Sequence, residues 1–258
     1  MSRWTGAPRL PRHLWRYRAR GAFLALLLGL ASPPVAADIA EARYETPTDR
    51  YPHGVLGDPS EYTDLVVRGA EGGELRYRWE RPMVFEDVAP RLVDIDGDGS
   101  REVLVVESHE REGARFAVYA LREGALIPLV SNPFIGTRFR WLAIVGAADL
   151  DGDGQMEIAY VDRPHLAKTL RVWEVRALDA TTFYTEEEAS LPGVTNHRIG
   201  EADIAGGIRD CGAGPEMIVA DANWLRVLAV RFDGALRARE LGPHGGRASF
   251  AQAMGCVE

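Results

Sequence analysis

The chain has 258 residues, with 38 acidic and 30 basic side chains and a net charge of −8. A surface this acidic excludes nucleic acid as a partner, because a phosphate backbone must be met by clustered positive charge. Lys168 is the only lysine, so almost every fixed cation is an arginine.

Residues 1–37 read as a secretory signal peptide. Arg3, Arg9, Arg12, Arg16, Arg18 and Arg20 form a basic segment without an acid. An apolar run from Ala22 to Ala31 follows, and Ser32-Pro33-Pro34-Val35-Ala36-Ala37 supplies small residues for cleavage after Ala37. The apolar run is half the ~20 residues a membrane span needs, and nothing later in the chain is long enough to cross a bilayer. Losing this leader leaves 24 basic residues against 38 acidic ones, a net charge of −14. The expected location is therefore the periplasm or the extracellular space. In such an oxidising compartment Cys211 and Cys256 are expected to pair, closing 44 intervening residues.

Residues 38–50 read as an irregular lead-in, and residues 51–258 as one β domain undivided by any linker rich in Pro, Gly or Ser. Four short apolar runs in it are opened by an acid: Asp64-Leu65-Val66-Val67, Glu102-Val103-Leu104-Val105, Glu157-Ile158-Ala159-Tyr160 and Glu216-Met217-Ile218-Val219. Their spacings of 38, 55 and 59 residues are those of a structural repeat.

The middle two acids each end one nine-residue pattern, Asp94-Ile95-Asp96-Gly97-Asp98-Gly99-Ser100-Arg101-Glu102 and Asp149-Leu150-Asp151-Gly152-Asp153-Gly154-Gln155-Met156-Glu157. Carboxylates stand at positions 1, 3, 5 and 9, and glycines at 4 and 6 permit a tight turn. Charges so close repel one another unless a cation sits among them. Hard oxygen ligands in a flexible loop suit calcium, so two Ca2+ sites are expected, with the Ser100 and Gln155 carbonyls as further ligands. Two bound ions would bring the net charge from −14 to −10. An EF-hand loop ends in a bidentate Glu at position 12 and is flanked by helices. Here Val105 and Tyr160 occupy that position, and the flanking runs Arg91 to Val93, Val103 to Val106, Leu142 to Val145 and Ile158 to Val161 are strand-like.

A strand, Asp-x-Asp-Gly-Asp-Gly-x-x-Glu and a second strand together resemble the FG-GAP or VCBS repeat of integrin-alpha-type β-propellers. The resemblance implies an all-β fold, a small β-propeller of about four blades of four antiparallel strands, with calcium in the loop between the first and second strand of a blade. Five blades are the alternative count, because Gly54 to Asp58 can also be read as an inner strand. The third loop departs from the pattern: aligned on Glu216, positions 1, 3 and 5 are Ile208, Asp210 and Gly212, and Cys211 takes position 4. A disulfide is thus expected to replace the metal in that blade. Ala248 to Met254 reads as a last inner strand that joins the N-terminal blade and closes the ring, with both cysteines on the calcium face in neighbouring blades. Further strands are predicted over 115–121 and 126–130, over 170–176 and 182–190, and over 225–232 and 236–241. Asp233-Gly234 forms the turn between the last two. Trp79, Trp173 and Trp224 fall in strand-like stretches and read as core.

The connections between blades carry cations and aromatics: Tyr51 and His53, Arg91, Arg138, Arg140 and Trp141, His197 and Arg198, His244 and Arg247. His165 and Lys168 add to them from within the third blade. Such a rim can bind a protein partner or an anionic glycan or peptide. Equally, its cations can pair with Asp87, Asp162 and Glu201 and hold blades together. No nucleophile elbow, zinc-binding histidine pair or phosphate-binding glycine loop is present, so catalytic residues are not assigned. The expected function is a rigid, calcium-stabilised binding or scaffolding module. The alternative is a hydrolase or lyase acting on polysaccharide at the inter-blade face.

Overall fold

The computed structural model describes residues 37–57, 60–179 and 181–256; the predicted leader, apart from Ala37, lies outside them. Strands begin at once. Residues 38–50 are not an irregular lead-in: β1 (Ile39–Thr48) pairs antiparallel with β2 (Glu61–Gly69) along most of its length. The run Glu41-Ala42-Arg43-Tyr44-Glu45 alternates polar and apolar side chains, which suits a strand with one packed face. β3 (Glu74–Arg78) pairs with the other edge of β2, and β4 (Met83–Phe85) links β2 to the next group.

Three antiparallel four-stranded meanders follow. The first is β5 (Arg91–Val93), β6 (Glu102–His109), β7 (Gly113–Arg122) and β8 (Ala125–Ser131). β9 (Leu142–Ala148), β10 (Met156–Asp162), β11 (Thr169–Ala177) and β12 (Phe183–Pro192) make the second. Beyond the short β13 (Val194–Thr195), which pairs with β15, the third comprises β14 (Gly207–Asp210), β15 (Pro215–Asp221), β16 (Arg226–Phe232) and β17 (Leu236–Pro243). Inner strands such as β6 and β10 are continuous apolar runs because both of their faces are covered. Outer ones such as β12 carry only exposed and half-buried residues, alternating over most of the strand.

The sheets pack in series. Leu65, Val67 and Phe85 meet Val103, Val105 and Tyr119; Leu104, Val106 and Phe116 meet Ile144, Ile158 and Tyr160; and Ala159, Val161 and Val172 meet Met217, Val219 and Val230. The remaining face of the last sheet, formed by Ile218, Ala220, Val227 and Ala229, is covered by a helix rather than by a strand. This is α1 (Arg247–Met254), which overturns the closing strand expected over Ala248 to Met254. Its Ala, Gln, Met and Arg residues are good helix formers, and Phe250 and Ala253, three apart, make one buried stripe. Phe250 packs edge-on against Trp224 and His244. The Phe250→Ala protein is expected to lose about 3 kcal/mol of stability, read as a lower urea midpoint with an unchanged slope.

Two smaller expectations also fail. Gly54 to Gly57 is a turn, not an inner strand, and Trp224 lies in the turn before β16 with a φ of 57°. Among the described residues no helix is long and apolar enough to cross a membrane.

Candidate metal centre

Both acidic loops sit at antiparallel hairpin bends, one between β5 and β6 and the other between β9 and β10. The ladders begin at Val93–Glu102 and Ala148–Glu157, which places each glutamate at the mouth of its loop. Gly97, Gly99, Gly152 and Gly154 hold φ values of 71°, 87°, 85° and 90°, where a Cβ would be strained, so the glycines are what allow the carboxylates to turn inward.

The two loops repeat one hydrogen-bond pattern. The Ile95 amide donates to Glu102 Oε2 at 3.0 Å, and the Leu150 amide to Glu157 Oε2 at 2.6 Å. Gly99 donates to Asp94 Oδ2 and Gly154 to Asp149 Oδ2, each at 3.1 Å. The side-chain oxygens of Asp94, Asp96 and Glu102 come within 4.8 Å of one another, as do those of Asp149, Asp151 and Glu157. Asp98 and Asp153, expected as fourth carboxylate ligands, stand outside these groups and accept from the Ser100 and Gln155 amides at 2.7 Å. Ser100 is buried and Gln155 exposed.

Three carboxylates at that spacing cost about 3 kcal/mol for each ionised pair at an effective dielectric near 20. Burial pushes the Glu102 carboxyl up to about 7, and Asp96 and Asp98 add to the rise. Burial likewise lifts Glu157 to about 7, with Asp151, Asp149 and Asp153 contributing. Asp94 Oδ1 is buried with no hydrogen-bond partner, an acceptor that a cation would satisfy. Neither group contains nitrogen or sulfur, so the donor set fits a hard cation.

The other two acids of the repeat are neutralised differently. Asp64 takes Arg78 at 2.7 Å and Arg76 besides, and these guanidiniums, Arg78 foremost, hold its carboxyl well below the usual range. At Glu216 burial pushes upward, but Arg209 at 2.9 Å and Arg239 at 3.4 Å outweigh it, and Arg231 stands 3.4 Å away. Sequence reading missed these arginines. The alternation Arg76-x-Arg78 on one strand face, opposite an acid on its neighbour, is the signal that could have found them. In the two glycine-rich loops the one comparable contact is Arg122 with Asp96 at 2.9 Å; among the described residues no cation pairs with Asp149, Asp151, Asp153 or Glu157.

The third loop carries the expected disulfide: Cys211 and Cys256 are joined at 2.00 Å, and no free cysteine remains. Cys256 follows α1 instead of standing in a neighbouring blade, so the bond ties the helix to the β14–β15 bend.

Most of the predicted rim turns out to be internally partnered. Arg91 pairs with buried Asp87 at 2.5 Å, Arg247 pairs with Glu201 at 2.5 Å, Lys168 donates to the Ala222 carbonyl at 2.7 Å, and Arg198 lies 4.3 Å over the Trp224 ring. Another group comes together. His53, Arg140, Trp141 and His165 line a cavity of about 230 Å3 with Phe139, Arg163, Leu166 and Ile199, which sequence reading did not select. His197 lies behind it. Its Nε2 must donate to the Glu201 carbonyl at 2.8 Å, so its Nδ1 accepts from His165 Nε2 at 2.9 Å. Burial, with His197 and His53 nearby, lowers His165 to about 4, so it stays neutral with a lone pair on Nδ1. His53 Nδ1 meets the buried Glu86 carboxylate at 2.5 Å, Ser108 donates to the other oxygen, and Trp141 Nε1 donates to the Glu86 carbonyl at 2.8 Å. This cavity and the second acidic loop lie at opposite ends of β9 and β10.

Residues 94–160, from the first acidic loop through the second and into β10, match the FG-GAP-like repeat. No curated protein matches the chain.

Proposed function

Taking as premise that this chain is an FG-GAP repeat protein, we propose that it is an exported, calcium-binding β-propeller serving as a rigid binding or scaffolding module. The observation that carries this is the pair of acidic bends with one hydrogen-bond pattern, whose closing glutamates, unlike Asp64 and Glu216, form no ion pair with an arginine among the described residues. Asp94, Asp96 and Glu102 would hold one ion and Asp149, Asp151 and Glu157 the other, with Asp98, Asp153 and the Ser100 and Gln155 carbonyls completing the shells. Bound calcium supplies the positive charge these oxygens lack and fixes the bend between two strands. The three four-stranded meanders packed in series support the propeller, and the leader with the Cys211–Cys256 bond supports export.

Calorimetric titration with CaCl2 tests this. Two sites are expected, with Kd near 10⁻⁴–10⁻³ M, as extracellular modules show. Asp96→Ala and Asp151→Ala should each remove one of them. No uptake at millimolar calcium would overturn the proposal. The same titration separates the sites. Arg122 already spends one positive charge on Asp96, so Arg122→Gln is expected to tighten the first site about fivefold, the worth of ~1 kcal/mol at a partly exposed pair, and to leave the second unchanged.

A further inference from the structure

The cavity between the Phe139–Trp141 and Arg163–Leu166 segments is built unlike the rest of the surface. Its walls are apolar: Trp141 and Val55 are buried beneath it, while Leu166 and Ile199 stand 63% and 72% exposed at its mouth, two of the largest unburied hydrophobic side chains among the described residues. Its charge is one-sided. Arg163 is held by Asp162 at 2.7 and 2.9 Å, but among the described residues no carboxylate pairs with Arg140, whose nearest polar contact is the Phe139 carbonyl at 2.9 Å. Among the described residues, neighbouring Arg138 likewise has only ring partners, Phe139 at 4.3 Å and Tyr51 at 5.9 Å. On a chain with an acidic excess, two adjacent arginines without an acid are an unspent anion-binding capacity.

The backbone here is held firmly in an uncommon shape. Phe139 and Arg163, both lining the cavity, adopt φ values of 57° and 44°, a conformation costing of order 1 kcal/mol for such residues and persisting where the surroundings over-determine it. The Phe139 amide is tied to the Tyr51 hydroxyl at 2.8 Å, and the Arg140 carbonyl accepts from Ala114 at 2.8 Å. Gly113 makes the second tie close enough: a Cβ there would fall 2.2 Å from the Thr137 carbonyl oxygen and 2.8 Å from that of Arg140. The Phe139 ring is stacked on His53, which Glu86 anchors from below.

We propose that this cavity is a binding site for a compact ligand bearing a free carboxylate next to one apolar group, the carboxylate on the Arg140 guanidinium and the apolar group between Trp141, Leu166 and Ile199. A guanidinium fork matches a planar carboxylate through two parallel hydrogen bonds, and an apolar wall beside it excludes the water that would screen them. At about 230 Å3 the cavity is smaller than the ~300–1,000 Å3 of sites for drug-sized molecules, which selects a ligand of single-ring size. The assignment gives the proposed binding module its ligand class and rests on that reading, but not on the acidic loops, of which the second lies at the far ends of β9 and β10.

A small organic acid and the last residue of a peptide share this chemistry, and one experiment tells them apart. The full exported chain is titrated with phenylacetate, with phenylacetamide, and with Gly-Gly-Phe carrying a free or an amidated C-terminus, in calcium and again in EDTA. Saturable binding of phenylacetate in the millimolar range is expected, as suits a ligand of so few atoms. Phenylacetamide should bind at least about tenfold more weakly, and Arg140→Gln should weaken phenylacetate by a similar factor while leaving the melting temperature unchanged. Ile199→Ser, a change at an exposed position, should weaken both acid and amide about threefold. A free peptide terminus that binds more tightly than phenylacetate assigns the site to chain ends; equal or weaker peptide binding assigns it to small acids. No saturation by either acid, equal affinity for acid and amide, or an Arg140→Gln protein that binds as the parent does would overturn the proposal. Persistence of binding in a protein that takes up no calcium would leave this site standing and the metal sites refuted.

Discussion

Chelation with EDTA is expected to lower the melting temperature reversibly by about 6–11 °C. At millimolar calcium and a Kd near 10⁻⁴ M, each of two sites stabilises by roughly 1.4 kcal/mol, and for 150–250 residues each kcal/mol moves the melt by about 2–4 °C. Combining Asp96→Ala with Asp151→Ala should abolish the response. The pH dependence should also change sign. Without an ion, Glu102 and Glu157 titrate near 7 in the folded chain against 4.5 for an ordinary glutamate. Their folded pKa is raised, so the stability they confer is fully present below about 4.5 and is lost as pH rises through about 7. With calcium bound, protons compete with the ion and stability falls toward acid instead. His165, lowered to about 4, and His197, lowered as well, destabilise the fold toward acid in either condition. The effect of the glutamates is therefore the difference from a Glu102→Gln, Glu157→Gln protein measured in parallel. A chelated wild type whose melt tracks that variant from pH ~5 to ~8 would count against both acidic bends.

The second large effect lies at the β14–β15 bend, whose Ala213 and Gly214 border the second acidic loop. Replacing Cys211 and Cys256 together by serine is expected to cost ~2–4 kcal/mol, near the upper figure because the bond closes 44 residues, and to lower the melt by about 5–15 °C. The loss should begin locally. Helix α1 makes no side-chain cap bond and has no acid in its first turn or base in its last, so the disulfide, the Arg209 bond to the Ala253 carbonyl and the Phe250–Ala253 stripe hold it in place. Hydrogen exchange should show residues 247–254 losing protection well before the β9–β12 sheet does. Uniform loss of protection across both would mean that the bond stabilises the whole fold at once.

The same helix shows where the sequence stops being readable. Ala248 to Met254 contains no Gly, no Pro and no charge; its Ala, Gln and Met favour a helix, but without caps or end charges that propensity is a weak signal, and the packing on Ile218, Ala220, Val227 and Ala229 decides it. The acidic bends were legible for the opposite reason. Nine consecutive residues carry both the ligands and the glycines that turn them, so their geometry is local and survives any error in the surrounding topology. β1 was missed although its alternation is plain, because Thr46, Pro47 and Thr48 look like loop; Thr46 holds a φ of 59°, and the strand continues past it. The cavity around Arg140 could not be read in advance. It joins residues from four separate connections, and only the fold determines which of the chain's many arginines lack an acid.

Arginine is synthesised with the chain, whereas an ion must be met outside it. Asp64 and Glu216 are provided for wherever the polypeptide finds itself; if the two bends between them take calcium as proposed, they would be complete only where divalent ions are plentiful. The strands around Asp64 and Glu216 would then set first and unconditionally. The middle of the stack, which also carries most of the cavity at its opposite end, would stiffen on arrival in a calcium-rich medium, so its final consolidation would follow secretion.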